Sequence, residues 1–140
     1  MRITKEADYA LRIMRCLAEC GHGIRDAKTI SEALNVPPRF TLKILHKLIG
    51  GKLVKSYKGV NGGYALNLPA NKITMRQIVE VIDGPLTISR CLDEEYECSH
   101  MAHEKGKCFF HQVFNDINAK LAEELDKVTL DMALCKNGKD

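Results

Sequence analysis

The chain has 140 residues, of which 45% are apolar and 28% charged, the composition of a single globular domain large enough to bury a core without staples. No apolar run approaches the roughly 20 residues that span a bilayer. The start, Met1-Arg-Ile-Thr-Lys-Glu6, lacks the apolar centre of a signal peptide, so a cytoplasmic location with no membrane partner is expected. There, cysteines favour metal or thiol chemistry over structural disulfides. The net charge of +3 is unevenly placed: residues 1–72 carry 13 Lys/Arg against 5 Asp/Glu, and residues 73–140 carry 8 against 13. A basic half joined to an acidic one suggests a polyanionic partner for the first half.

Residues 4–20 read as a first helix. Ala7, Ala10, Leu11, Met14, Leu17 and Ala18 form one apolar stripe, and Tyr9, Ile13, Cys16 and Cys20 form a second. A helix apolar on two sides is sandwiched. Cys16 and Cys20 lie one turn apart and could share a metal, but the plainer reading is a pair of small buried hydrophobes.

Gly21-His22-Gly23 ends this helix, and Asp26 can cap a short second one over 27–34, with Ile30, Ala33 and Leu34 inward. A tight turn, Asn35-Val36-Pro37, leads to a third helix opened by Pro38 and running to about Ile49. Its expected buried side is Leu42, Leu45, Leu48 and Ile49, and its basic side is Arg39, Lys43, His46 and Lys47. Two short helices joined by a turn, the second with a basic face, make a helix-turn-helix candidate. Strands at 53–57 and 64–68 follow, around the glycine-rich Lys58-Gly-Val-Asn-Gly-Gly63. This order is that of a winged helix. The DNA-contacting set is expected to be Arg39, Phe40, Thr41, Lys43, Lys47, Lys58 and Asn61.

Thr74 and Gln77 form a capping box for a fourth helix, Met75 to Asp83, closed by Gly84-Pro85. From about Cys108 to Leu134 the chain reads as one long helix. Phe110, Phe114, Ile117, Leu121, Leu125, Val128, Met132 and Cys135 make a sustained seam. A second copy of the chain is the natural cover for it, giving a homodimer; folding back on the chain's own head is the alternative. The expected organisation is a mainly α chain with a small β-hairpin. A winged helix-turn-helix head spans 1–84, a cysteine-rich loop 85–107, and a dimerisation helix and tail 108–140.

The loop carries the chemistry. Cys91, Cys98 and Cys108 are separated by six and nine residues, and His111 follows after two more. Soft thiolates with an imidazole suit an iron–sulfur cluster or a zinc ion, and spacing alone does not separate them. His100 and His103 inside the loop read as solvated. A cysteine hydrolase with Cys108 as nucleophile and His111 as base is a distant alternative, because no orienting third group or oxyanion loop is evident. No small-molecule substrate is expected.

Met1-Arg-Ile-Thr4, Asp8-Tyr-Ala-Leu-Arg12, the segment Lys28 to Leu48, Leu53-Val-Lys-Ser56, Lys58-Gly-Val-Asn-Gly-Gly-Tyr64 and the three-cysteine loop together resemble the Rrf2 family of bacterial transcription regulators. The resemblance covers nearly the whole chain. It implies a homodimeric winged helix on a double-stranded DNA operator, with the third helix in the major groove and the wing in the minor groove. It also implies a redox, nitric-oxide or iron sensor whose cluster is held by Cys91, Cys98 and Cys108 plus one non-cysteine ligand. That ligand falls on His111 in one group of members and on Asp8 of the partner subunit in another. A 2Fe-2S cluster is favoured over 4Fe-4S. Cluster-lacking members leave open a metal-free thiol regulator, and a structural zinc protein also stays open.

Overall fold

The computed structural model describes residues 2–21, 23–98 and 107–135. Helix α1 spans Lys5–Glu19. Thr4 caps it by accepting from the Ala7 amide at 3.1 Å, and the Thr4 amide also donates to Asp83 at 3.3 Å. The start of α1 is thereby tied to the end of a later helix. Both apolar stripes of α1 are covered, and Ala7, Ala10, Ile13, Met14 and Leu17 are fully buried.

Helix α2 is Ala27–Leu34, with Asp26 accepting from the Thr29 amide at 2.7 Å. That amide contact holds the Asp26 carboxyl below its usual range. Asn35 closes α2 in the left-handed conformation. Helix α3, Pro38–Gly50, begins on proline, whose missing N–H is one that a first turn leaves unpaired anyway. Strands β1 (Val54–Tyr57) and β2 (Gly63–Leu66) pair antiparallel from Val54 opposite Leu66 to Tyr57 opposite Gly63. Arg25 adds an isolated bridge to Tyr64 on the outer side of β2. A β-carbon at Gly63 would lie 2.5 Å from the Arg25 carbonyl oxygen, so only glycine permits this approach.

Helix α4, Met75–Asp83, has the expected capping box between Thr74 and Gln77. Ile78 and Val79 are buried on its inner side. Together α1, α3 and α4 enclose the core with Ile30, Val54 and Ile73. Two inward assignments do not hold. Ala33 is exposed on α2, and Leu42 is exposed on α3 while Ile44 is fully buried in its place.

The long C-terminal helix is shorter than its seam implies. Helix α5 spans Phe109–Asp126 and stops, and a short helix α6, Met132–Cys135, follows. The break is caused by the head. The Met75 amide donates to the Val128 carbonyl at 2.8 Å and the Leu130 amide to the Ile73 carbonyl at 2.9 Å, a two-stranded bridge between Thr74 and Thr129. Backbone hydrogen bonds to Val128 and Leu130 replace those that continued helix would make. Leu130 enters the core of the head, and Leu134 packs against that core. The chain beyond α5 therefore folds back through Leu130 and Leu134, which lie off the seam, while Phe110, Ile117, Val128 and Met132 of the seam stay exposed. Leu130→Ala should destabilise the fold by about 2–5 kcal/mol, read as a shifted midpoint in urea unfolding; a change below about 0.5 kcal/mol would place Leu130 outside the core.

Candidate nucleic-acid interface and thiol loop

Helix α3 presents Arg39, Phe40, Leu42, Lys43 and His46 to solvent. Thr41 does not belong to this set. It is fully buried, and its hydroxyl donates to the Pro37 carbonyl at 3.2 Å, so it serves the turn rather than the outer face. Phe40 is held in place from two sides, edge-on to Tyr9 with ring centroids 6.2 Å apart and with Lys43 Nζ 6.0 Å from its own centroid.

The sequence reading missed Glu6. Its carboxylate, on the first turn of α1, sits 3.0 Å from Lys47 Nζ and 3.7 Å from Lys43 Nζ. The same oxygen, Oε1, has no partner in hydrogen-bond geometry, so the contact is an ion pair without directed bonding. Glu6 holds both lysines against α1 and partly neutralises the basic face. Nothing in the sequence points to this, because α1 and α3 meet only through the fold.

Lys58 and Asn61 are exposed on the wing loop, with Val60 fully exposed between them. Lys55 lies over the Tyr57 ring at 5.6 Å on β1. Cations on α3 and on the wing thus flank a protruding apolar tip. Lys58→Ala should weaken binding on every DNA sequence and reduce the salt slope by about one counterion. Arg39 stands at the first turn of α3, the part of the second helix that meets base edges in helix-turn-helix proteins. Arg39→Ala should cost about 1–3 kcal/mol on the cognate site and relax one position of each half-site. Equal losses on cognate and random duplexes in fluorescence anisotropy would remove Arg39 from base reading.

Cys91 and Cys98 lie on the strap that follows α4, residues 85–98, and Cys108 lies at the start of α5. Cys91 occupies a 3-10 turn, Arg90–Leu92, half-buried, with Sγ 3.3 Å from the Ser89 hydroxyl. Cys98 is half-buried at the edge of the described residues; His100 and His103 lie outside them. Cys108 is the N-cap of α5 and makes no side-chain capping bond. His111 lies three residues on, hence on the same face of the first turn as Cys108. Its Nδ1 is buried and has no hydrogen-bond partner. A buried imidazole nitrogen with nothing to bond is costly.

Among the described residues no three His, Cys, Asp or Glu side chains converge into a metal-holding group. Cys91 and Cys98 on the strap and Cys108 and His111 at the start of α5 are not closed around a point. The strap before them is firmly seated. Asn118 on α5 accepts from the Ile88 amide at 2.9 Å and donates to the Leu86 carbonyl at 2.8 Å. Arg76 on α4 joins Glu80 at 3.0 Å and Asp126 at 2.9 Å, which raises its pKa further above the usual guanidinium value. Asp8, the other candidate ligand, accepts from Arg12 Nε at 3.1 Å. It rims an open groove of about 320 Å³ floored by Leu11, Met75, Ile78 and Leu130. No helix of the described residues is long and apolar enough to cross a membrane.

A family model described as an iron-dependent transcriptional regulator, Rrf2, matches residues 3–136. A helix-turn-helix-type transcriptional regulator of Mycobacterium tuberculosis is 36% identical over 91 residues, 64% of this chain and 56% of that protein. The chain thus spans little more than half the length of that relative. A helix-turn-helix-type regulator of Neisseria meningitidis is 30% identical over 131 residues, 93% of this chain and 85% of the relative. Among solved structures, CymR, the global cysteine regulator of B. subtilis, superposes with a TM-score of 0.74 at 27% identity, covering 94% of each chain. T. potens IscR superposes at 0.73 with 23% identity, covering 97% of this chain and 88% of that one.

Proposed function

The chain belongs to the Rrf2 family of transcriptional regulators, and on that footing we propose that it is a dimeric operator-binding regulator whose DNA affinity is set by an iron–sulfur cluster. Family and relatives are regulators of transcription and not enzymes, so Cys108 and His111 are read as ligands rather than as nucleophile and base. The winged helix-turn-helix fold, with cations on α3 and on the wing, supplies the surface for duplex DNA.

The observation that carries the cluster is the unpartnered, buried Nδ1 of His111 beside Cys108. Thiolates hold iron–sulfur clusters and histidine can stand in for cysteine among their ligands, and the family description names iron. A cluster bound there supplies a redox- and gas-sensitive centre. The chain's own part is to offer Cys108 from the α5 N-terminus and His111 from its first turn. The strap brings Cys91 and Cys98. Asp8 from a partner subunit is the alternative fourth ligand; it would first have to give up its Arg12 pair. A two-iron cluster is favoured over a four-iron one.

Anaerobically prepared protein is expected to absorb visible light, and His111→Ala is expected to change that spectrum or make it labile while Asp8→Ala does not. The reverse pattern would move the fourth ligand to Asp8, and colourless protein would remove the cluster. A second reading, a metal-free thiol regulator, draws on the open arrangement of the described thiols and on the likeness to CymR. It predicts colourless protein with operator affinity that follows thiol oxidation.

The dimer is read from α5. Phe109 and Phe110 are about two-thirds exposed at its start, and Ile117 is half exposed along the same helix. Phe110, Phe114, Ile117 and Leu121 follow a 4-3-4 spacing, one face of a helix. Such a stripe is an interface when a second copy lays its own against it.

A further inference from the structure

Cys16 and Cys20 take no part in the strap, and the fold adds a third group to them. Arg25, nine residues beyond Cys16, turns back so that Nη1 lies 2.8 Å from Cys16 Sγ. Cys16 is buried in the core, and Cys20 is half-buried at the C-cap of α1. We propose that Cys16 and Cys20 form a site for a soft monovalent metal ion, Cu(I), held between the two sulfurs with Arg25 as counter-charge.

Geometry separates this from a disulfide. Residues four apart on a helix have β-carbons about 5–6 Å apart, whereas a disulfide needs about 3.5–4.5 Å. Two metal–thiolate bonds of about 2.3 Å each span roughly 4.6 Å between sulfurs, which the helical spacing meets with small side-chain rotations. Ligand number separates Cu(I) from zinc. Zinc requires four ligands, and among the described residues no third His, Cys, Asp or Glu joins the pair. Cu(I) is soft, selects thiolates and is satisfied by two.

Charge closes the case. Each thiol gives up one proton as its sulfur bonds the ion, so two thiols and Cu(I) yield a bis-thiolate complex of charge −1 and two released protons. The guanidinium already bonded to Cys16 balances that charge. Because binding releases the thiol protons, uptake strengthens as pH rises. Arg25 is anchored for this by its bridge to Tyr64; Asp26 beside it caps α2, and Glu19 is the carboxylate that acts on both Arg25 and Cys20.

The test uses the full-length chain with Cys91, Cys98, Cys108 and Cys135 each replaced by serine, leaving one dithiol. Anaerobic titration with Cu(I) against a chromophoric chelator should give one ion per chain, bound more tightly at higher pH, with two sulfur neighbours in the copper K-edge spectrum. Cys20→Ser should abolish chelator-resistant binding, and because Cys20 is half-exposed the fold should survive, as far-UV circular dichroism will show. Arg25→Gln should weaken binding about 10–100-fold, the range for groups that support a metal ligand. Absence of binding, or binding that persists in Cys20→Ser, overturns the proposal. So does a Cys16–Cys20 disulfide formed with oxidised glutathione without any Cu(I) uptake, which would make the pair a thiol switch.

Discussion

Ile117→Asp is expected to give a folded monomer that no longer holds its operator. Ile117 is half exposed on α5, so a carboxylate there costs the isolated chain little. In a dimer the same carboxylate would enter an apolar stripe, once from each copy, and an unpaired buried charge costs several kcal/mol or shifts the equilibrium until it is hydrated. Dimerisation should weaken by at least about 1,000-fold, equal to about 4 kcal/mol. Operator affinity should fall with it, since two half-sites one helical turn apart are read together only by a joined pair of heads. Sedimentation velocity at micromolar concentration measures the first effect and anisotropy on the operator the second. A variant that sediments as a dimer would place the interface elsewhere.

The second large effect is expected from Cys98→Ala. The strap is fixed to α5 through Asn118, and α5 is fixed to α4 through Arg76 and Asp126. A cluster joining Cys91 and Cys98 to Cys108 and His111 would tighten the strap on the start of α5 and so set the angle between head and dimer axis. A ligand shifts such an equilibrium only by its differential affinity for the two arrangements. Typical couplings of about 1–3 kcal/mol correspond to about 5–150-fold. Cys98→Ala should therefore abolish visible absorbance and change operator affinity within that range. Binding to random DNA, which depends on the cations of α3 and the wing, should stay the same. Equal operator affinity of cluster-loaded and cluster-free protein would end the sensing mechanism and leave the DNA-binding assignment intact.

Local signals carried the head. Asp26, Pro38 and the Thr74/Gln77 box each sit where the helices begin, because caps are decided within four residues of chain. Positions within a helix were harder. Leu42 looked inward by hydrophobicity and Thr41 outward by its hydroxyl, yet the fold reverses both. On α3 the buried arc centres on Thr41, Ile44, Leu45 and Leu48, and the threonine satisfies its hydroxyl on Pro37. The seam of α5 overran its helix because periodicity does not see that Ile73 and Met75 offer Val128 and Leu130 other backbone partners. Glu6 and Arg25 were illegible for a related reason. Their meaning depends on Lys47 and Cys16, which they reach only through the fold. The cysteines and His111 stood out by spacing alone, while the unpartnered Nδ1 that supports a ligand role needed the structure.

The return of the chain to the head has a consequence for biosynthesis. Leu130 is a core residue of a head whose other core residues all precede Gly84, and its amide pairs with Ile73. Domains of a nascent chain fold as they emerge, but this head lacks a piece of its interior until α5 has already been translated. A ribosome stalled at residue 84 would display a winged helix with an unfilled slot. The head that carries α3 and the wing therefore closes its core only once the chain beyond α5 has been made.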